Sequence, residues 1–139
     1  MTNVEVSDKL MVLFNEAKWD EWQEHIASDA TMEDMAVGHK AVGSDEVRAY
    51  AESWKTGFPD MIGTCENRID AGNVLVEECS WSGTNTGNLV APDGSPIPPT
   101  GKSVRLKNVL IWEFEDGKIK SAKNYLDMMT MLSQLGLAG

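Results

Sequence analysis

Asp127, near the end of the chain, is the residue whose position most suggests acid–base chemistry. Residues 119–127 are predicted to form a strand that carries Asp127 at its far end, before a short apolar tail. A carboxyl group at that point can face the opening of a cavity, where desolvation would raise its pKa toward the range useful for proton transfer. The same position also suits an ordinary helix N-cap. Both roles are open for Asp127 at the level of the sequence.

Asp34 and His39 form a second group of candidates. Asp34 lies between two methionines in residues 31–37, which are predicted as a short strand, and the same desolvation argument makes it a candidate acid or base. His39 follows Gly38 in a predicted loop, where an imidazole could carry protons near neutral pH. Alternatively, Asp34 is a solvated loop acid and His39 is an ordinary surface histidine.

Strand periodicity predicts which side chains share a pocket, because alternate residues of a strand point to the same face. The three predicted faces are Leu106, Asn108, Leu110, Trp112 and Phe114; Leu75, Cys79, Trp81, Gly83 and Asn85; and Ile119, Ser121, Lys123, Tyr125 and Asp127. The expected substrate pocket is therefore aromatic with few polar groups, with Asn85 as a catalytic candidate and a lining of Trp81, Trp112, Tyr125, Asn108, Phe14 and Trp54. Each aromatic residue could equally fill the core, and a one-residue bulge would invert a face.

The elements that must position these residues change in type along the chain. Apolar residues at helical spacing predict helices up to residue 26 and from Ser44 to just before Gly57. Turn signals then separate four predicted strands at residues 61–70, 73–86, 104–115 and 119–127, and Asp116-Gly117 is typical of a type I′ hairpin turn. This order predicts one α+β domain over residues 1–139, with three N-terminal helices on the concave side of a curved antiparallel sheet. Residues 31–37 are expected at its edge.

Composition excludes several classes of partner. The chain has 12 basic and 22 acidic residues, a net charge of −10, which argues against binding to nucleic acids or to anionic membrane surfaces. No apolar run approaches the roughly 20 residues that cross a bilayer, and the first residues show no secretory signal, so a cytoplasmic location is expected. A hydrophobic small molecule remains as the expected partner.

The two cysteines are predicted to be reduced core residues. A hairpin that turns at Ala71-Gly72 would place Cys65 opposite Glu78, so that Cys65 and Cys79 would point to opposite faces of the sheet. His25 and His39 are far apart in the sequence and show no ligand spacing, so no metal site is expected.

Several motifs resemble those of SnoaL-like polyketide cyclases, which belong to the nuclear transport factor 2-like, or cystatin-like α+β, superfamily. Residues 83–87 and 99–102, GTNTG and PTGK, are similar to the family's GTHxG and PPTGR segments, and their spacing is kept. The resemblance continues through residues 116–119 and 125–127 to the QLG motif at 134–136. The opening of the chain is similar to that of many superfamily members.

The resemblance implies a cone-shaped fold, a dimer or tetramer, and ring closure by intramolecular aldol condensation without a metal or an organic cofactor. The family's acid–base aspartate matches Asp127, and the base of the ketosteroid isomerase relatives corresponds to Asp34. Two departures stand out: Asn85 replaces a histidine found in many relatives, and Leu10 or Phe14 stands where the isomerases carry an oxyanion-binding tyrosine.

Three functions therefore compete. The first is a cofactor-independent enzyme that cyclises or isomerises an enolisable carbonyl compound, with Asp127 as base and Asn85, Asn108 or Tyr125 as enolate donors. The second is a hydrolase similar to limonene epoxide hydrolase, which needs two carboxylates and an arginine. Strand parity disfavours it, because Arg105 is expected on the face turned away from the pocket. The third is a non-catalytic domain that binds a small molecule.

Overall fold

The computed structural model describes residues 1–91 and 93–138, and its elements confirm the α+β class. The helices are α1 (Asn3–Asn15), α2 (Trp19–Glu24), α3 (Ser44–Gly57) and α4 (Met128–Leu135). The strands are β1 (Ile26–Asp34), β2 (His39–Val42), β3 (Ile62–Asp70), β4 (Val74–Thr84), β5 (Leu89–Val90), β6 (Pro96–Ile97), β7 (Ser103–Glu115) and β8 (Lys118–Leu126). The three N-terminal helices cover a curved sheet, as predicted.

The helices begin and end at recognisable signals. A capping box starts α1, because the side chain of Thr2 accepts the Glu5 N–H while the Glu5 carboxylate accepts the Thr2 N–H. Helix α3 begins with acidic residues in its first turn, where they complement the helix dipole, and ends at Gly57. Among the described residues, no helix is both long and apolar enough to cross a membrane.

Six strands form one sheet in the order β2-β1-β8-β7-β4-β3, and β5 and β6 form a separate small hairpin. The prediction of a purely antiparallel sheet is wrong for one pair, since β1 runs parallel to β8. These strands are far apart in the sequence, so no tight turn dictates their relative direction. Strand β1 also begins at Ile26, earlier than predicted, and the outermost strand on its side is β2 rather than residues 31–37.

Two β-bulges decide which side chains face the concave side. In the β3–β4 pair, Cys65 opposes Cys79 while Asn67 opposes Glu78, so Glu66 is an extra residue. In the β7–β8 pair, Phe114 opposes Ile119 while Glu113 opposes Ser121, so one extra residue lies in β8. Each bulge shifts the following residues to the opposite face of the strand.

The turns match the predicted ones where they can be compared. Asp116 and Gly117 both have positive φ, 53° and 76°, as a type I′ turn requires. The segment between β4 and β7 contains the β5–β6 hairpin, and Pro92 within it lies outside the described residues. Helix α4 closes the end of the sheet, where the Gln134 side chain accepts the Arg105 N–H and donates to the Arg105 carbonyl.

Candidate functional site

A cavity lies between the concave face of the sheet and the N-terminal helices. The space between its lining atoms amounts to about 830 Å³, a volume that includes open solvent. Its lining is largely apolar and aromatic, and includes Leu10, Met11, Phe14, Trp22, Met32, Val47, Ala51, Trp54, Met61, Trp81, Leu106, Leu110, Trp112 and Leu126. The polar members are Ser7, Tyr50, Glu77, Asn108 and Asn124. An apolar cavity with a few placed polar groups is typical of small-molecule sites.

A continuous chain of hydrogen bonds runs along one side of this cavity. The Trp81 Nε1–H donates to Asn108 Oδ1 at 2.8 Å, and Asn108 Nδ2 donates to Asn124 Oδ1 at 2.9 Å. Asn124 Nδ2 donates to the Tyr50 hydroxyl oxygen at 2.9 Å, and the Tyr50 hydroxyl donates to Asp34 Oδ2 at 2.7 Å. Every link points the same way, so the donor chain ends on the Asp34 carboxylate.

Asp34 is only 4% exposed and lies behind Tyr50. Its other oxygen, Oδ1, accepts the Ala36 N–H at 3.0 Å. Burial and the neighbouring Asp34 carboxylate raise the pKa of Tyr50 well above its ordinary value. Tyr50 therefore keeps its hydrogen at neutral pH and donates it to Asp34 in this structure.

A second polar cluster surrounds Glu77 on strand β4. Glu77 Oε1 accepts the Trp112 Nε1–H at 2.7 Å, while Oε2 accepts the Ser7 hydroxyl at 2.7 Å and the Arg68 Nε–H at 2.6 Å. Arg68 also contacts Asp8 at 2.5 Å. Burial alone would lower the pKa of Arg68, but its hydrogen bonds to Asp8 and Glu77 raise it. Glu77 thus lines the cavity, whereas the second carboxylate, Asp34, lies behind Tyr50 toward the other end of the row of strands.

The predicted lining residues on the helices and on β4 and β7 do border the cavity. Trp81 packs against Phe14 edge to face at 5.1 Å between ring centroids. Its indole covers Gly63 on the neighbouring strand so closely that a Cβ at position 63 would overlap the ring. Trp54, Trp112 and Asn108 also line the cavity, as described above. Their role in binding substrate remains a prediction.

Asp127 does not lie in the cavity, and the predicted burial and raised pKa are wrong. It is the exposed N-cap of α4, where its side chain accepts the N–H and the hydroxyl of Thr130. These hydrogen bonds lower the pKa of Asp127 instead of raising it. Tyr125 is likewise 42% exposed on the convex face. The bulge in β8 is the physical reason, because it turns both residues away from the cavity.

Asn85 and His39 are also placed outside the cavity lining. Asn85 is fully buried, and its side chain donates to the carbonyls of Gly57 and Gly87 and accepts the N–H and hydroxyl of Thr100. Asn85 therefore anchors the loop that follows β4. Strand parity had predicted a catalytic position in the cavity for this residue. His39 is exposed and stacks on the Tyr50 ring at 6.0 Å between centroids, so its role as a proton carrier stays a prediction.

The predicted register of the cysteines is wrong, because the bulge at Glu66 makes Cys65 and Cys79 direct cross-strand partners. Both are free thiols, and their sulfur atoms lie with a Glu77 oxygen within 4.8 Å of one another. Burial and the Glu77 carboxylate raise the pKa of the Cys79 thiol to about 12, and that of Cys65 is raised for the same reasons. Protonated thiols beside a carboxylate already bound to Arg68 are poor metal ligands.

Sequence reasoning missed four polar residues of the cavity, which are Ser7, Tyr50, Glu77 and Asn124. Glu77 has the parity of Leu75 and Cys79, so the alternation in β4 would have placed it on the concave face. Tyr50 lies one turn before Trp54 on the inward side of α3, a spacing that could have found it. Asn124 gave no such signal, because only the bulge in β8 brings it inside.

The family model of the SnoaL-like polyketide cyclases matches residues 5–135. The chain belongs to the SnoaL-like polyketide cyclase family. No curated protein sequence is significantly similar to this SnoaL-like chain.

Solved structures agree on the fold of this SnoaL-like protein. A candidate SnoaL-like polyketide cyclase from Jannaschia sp. CCS1 is 20% identical with a TM-score of 0.86, covering 99% of this chain and 92% of its own. IdmH, a candidate polyketide cyclase from Streptomyces antibioticus, is 23% identical with a TM-score of 0.80 over 98% and 99%. AclR, a candidate hydroxylase from Streptomyces galilaeus, is 18% identical with a TM-score of 0.80 over 96% and 80%. At these identities the likeness extends to the fold alone.

Proposed function

We propose that this SnoaL-like protein is a cofactor-independent acid–base enzyme that cyclises or isomerises an enolisable carbonyl compound. The observation that supports it best is the hydrogen-bond chain from Trp81 to Asp34 along an apolar cavity. Such a chain pairs a proton acceptor at one end with donors that an enolate oxygen needs. Asp34 replaces Asp127 as the proposed base.

The proposed mechanism begins when the substrate oxygen takes over the hydrogen that Tyr50 donates to Asp34 in the free protein. Asp34 Oδ2 then accepts the proton from the carbon next to the carbonyl, and the electron pair of the broken C–H bond moves onto the carbonyl oxygen. Tyr50 and the amides of Asn108 and Asn124 stabilise the resulting enolate by hydrogen bonds. The enolate carbon attacks a second carbonyl in a cyclisation, or regains a proton from Asp34 in an isomerisation.

The first test is exchange of substrate hydrogens with solvent. In deuterated buffer, the protein is expected to speed deuterium incorporation next to the carbonyl of at least one ketone, because proton abstraction precedes either reaction. We would follow the exchange by NMR with 1-tetralone and small β-keto esters. The expected acceleration from one positioned base is about 10²–10⁴-fold. Exchange at the buffer rate throughout the panel, with binding retained, would point to a non-catalytic binding domain instead.

An epoxide-hydrolase-like activity is the second candidate. Arg105 is exposed, as predicted, but Arg68 lies against the cavity carboxylate Glu77 at 2.6 Å. This pair supplies one cavity carboxylate with an arginine beside it, and the second carboxylate that such a hydrolase needs would be Asp34, which lies behind Tyr50. Incubation with cyclic epoxides in ¹⁸O-labelled water separates the two activities, because only the hydrolase places the label in a diol.

We also propose that the protein forms a homodimer or a larger assembly through the convex face of the sheet. Ile69, Val76 and Ile111 are register partners on three neighbouring strands and form an apolar row there, with Lys107 and Arg105 exposed nearby. Mixed apolar and charged surfaces of this kind are typical of non-obligate interfaces.

The assembly is tested by sedimentation at micromolar concentration, where the 15.3 kDa chain is expected to sediment as a dimer or larger. Ile111→Asp should shift the population toward monomer, because it places a charge within the proposed contact. Val12→Asp, at an exposed position on α1, is the matched control and should leave the assembly intact. A monomeric wild-type protein would refute the proposal.

A further inference from the structure

Glu77 is a carboxylate of the cavity lining that the proposed mechanism does not use. It is 3% exposed and lines the cavity together with Ser7 and Trp112. An ionised carboxylate offers about four acceptor positions on its two oxygens. Within residues 1–91 and 93–138, Oε2 receives short hydrogen bonds from Ser7 and Arg68, whereas Oε1 receives one from Trp112. Oε1 can therefore accept a further hydrogen bond, and a buried acceptor favours a ligand that supplies a donor.

The charge balance around Glu77 indicates which kind of donor group the ligand carries. Arg68 already pairs with the carboxylate at 2.6 Å, so the cavity needs no second cation to neutralise it. Most of the remaining lining is apolar, and burial of an ammonium ion among such groups would be costly. A neutral hydroxyl group satisfies the acceptor without that cost.

The opposite side of the cavity offers hydrogen-bond donors in place of an acceptor. Asn108 and Asn124 each use one of the two hydrogens of their side-chain amide in the chain that leads to Tyr50. The second hydrogen of each amide is available to a carbonyl or enolate oxygen. Asn124, Leu110 and Glu77 are register partners on consecutive strands, which places the Asn124 and Glu77 backbones about 10 Å apart at the usual strand spacing.

We infer that the cavity selects a ring ketone that carries a hydroxyl group at the end remote from its carbonyl. The hydroxyl donates to Glu77 Oε1, the apolar walls hold the ring, and the carbonyl accepts from the Asn108 and Asn124 amides. The carbonyl end of this assignment rests on the proposed function, whereas the hydroxyl end rests on the Glu77 cluster alone.

Three ligands of similar size test the hydroxyl end in the wild-type protein. We would measure the Kd of 6-hydroxy-1-tetralone, 1-tetralone and 6-methoxy-1-tetralone by calorimetry, because the methoxy group cannot donate a hydrogen bond. The hydroxy compound is expected to bind about tenfold or more tightly than either of the others, as a hydrogen bond to a charged acceptor allows. Equal dissociation constants for the three ligands would overturn the inference, whatever the outcome of the exchange assay.

Glu77→Gln then assigns the preference to this residue. The amide keeps the shape of the side chain but loses the charge, so the preference for the hydroxyl ligand should fall below about threefold. Glu78→Gln is the matched control, because Glu78 neighbours Glu77 in the sequence but is exposed and hydrogen-bonded to Asn67. An undiminished preference in a folded Glu77→Gln protein would reject the assignment. If that variant fails to fold, the wild-type ligand series decides.

The Asp34→Asn protein separates this inference from the proposed function. It is expected to keep the hydroxyl preference while it loses solvent exchange, because Asp34 takes no part in the hydroxyl contact. Exchange by the wild type without a hydroxyl preference would leave the proposed function standing and overturn the ligand assignment alone.

Discussion

Asp34→Asn is expected to slow deuterium exchange of a ketone substrate by about 10²–10⁴-fold, the usual contribution of one positioned base. An asparagine at position 34 can still accept the Tyr50 hydrogen, but it cannot take a proton from carbon. The rate is measured by NMR at saturating ketone, with the thermal midpoint recorded in parallel to confirm folding. Both oxygens of Asp34 are hydrogen-bonded to protein groups, Tyr50 and the Ala36 N–H, and its proposed role is in the chemical step. We therefore expect kcat to fall while KM changes little.

Asp127→Asn is the matched control for this experiment. The substitution is chemically identical, but Asp127 is an exposed helix cap whose hydrogen bonds an asparagine can largely replace. Its exchange rate is expected to equal that of the wild type. Full activity in a folded Asp34→Asn protein, or a large loss in Asp127→Asn, would remove Asp34 as the base and restore Asp127 as the candidate.

Asn85→Ala is expected to cost about 2–4 kcal/mol of unfolding free energy, because it removes four hydrogen bonds, one of them buried and three partly buried. The lost partners are the carbonyls of Gly57 and Gly87 and both donors of Thr100, which connect the end of α3 to the loop after β4. The stability is measured by urea unfolding, with the slope checked for two-state behaviour.

The exchange rate distinguishes this structural role from the catalytic one that strand parity predicted for Asn85. Per folded molecule, Asn85→Ala should exchange substrate hydrogens at the wild-type rate. Thr86→Ala is the control, since Thr86 is exposed beside Asn85 and should leave both stability and exchange nearly unchanged. A stable Asn85→Ala protein with little exchange would show that Asn85 contacts substrate after all.

Local patterns in the sequence determined the parts of the fold that depend on near neighbours. Helical spacing and acidic first-turn residues located α3, and the Asp116-Gly117 pair identified a turn whose two residues do have positive φ. Alternation in β7 separated buried Leu106 and Asn108 from exposed Arg105 and Lys107 without error. These signals work because the period of an uninterrupted strand or helix is fixed by backbone geometry.

Tertiary structure alone decided which polar groups meet in the cavity. One extra residue in β8 places Asn124 on the concave face and turns Tyr125 and Asp127 away from the cavity. No local sequence pattern predicts such a bulge. Strand order brings Asp34 on β1 next to Asn124 on β8 across a parallel pair that no turn connects. The sequence determined a SnoaL-like α+β fold with an aromatic interior, because periodicity and family motifs are properties of the chain itself. The hydrogen-bond chain from Trp81 through Tyr50 to Asp34 arises from pairing between distant segments, which depends on the packing of the whole sheet.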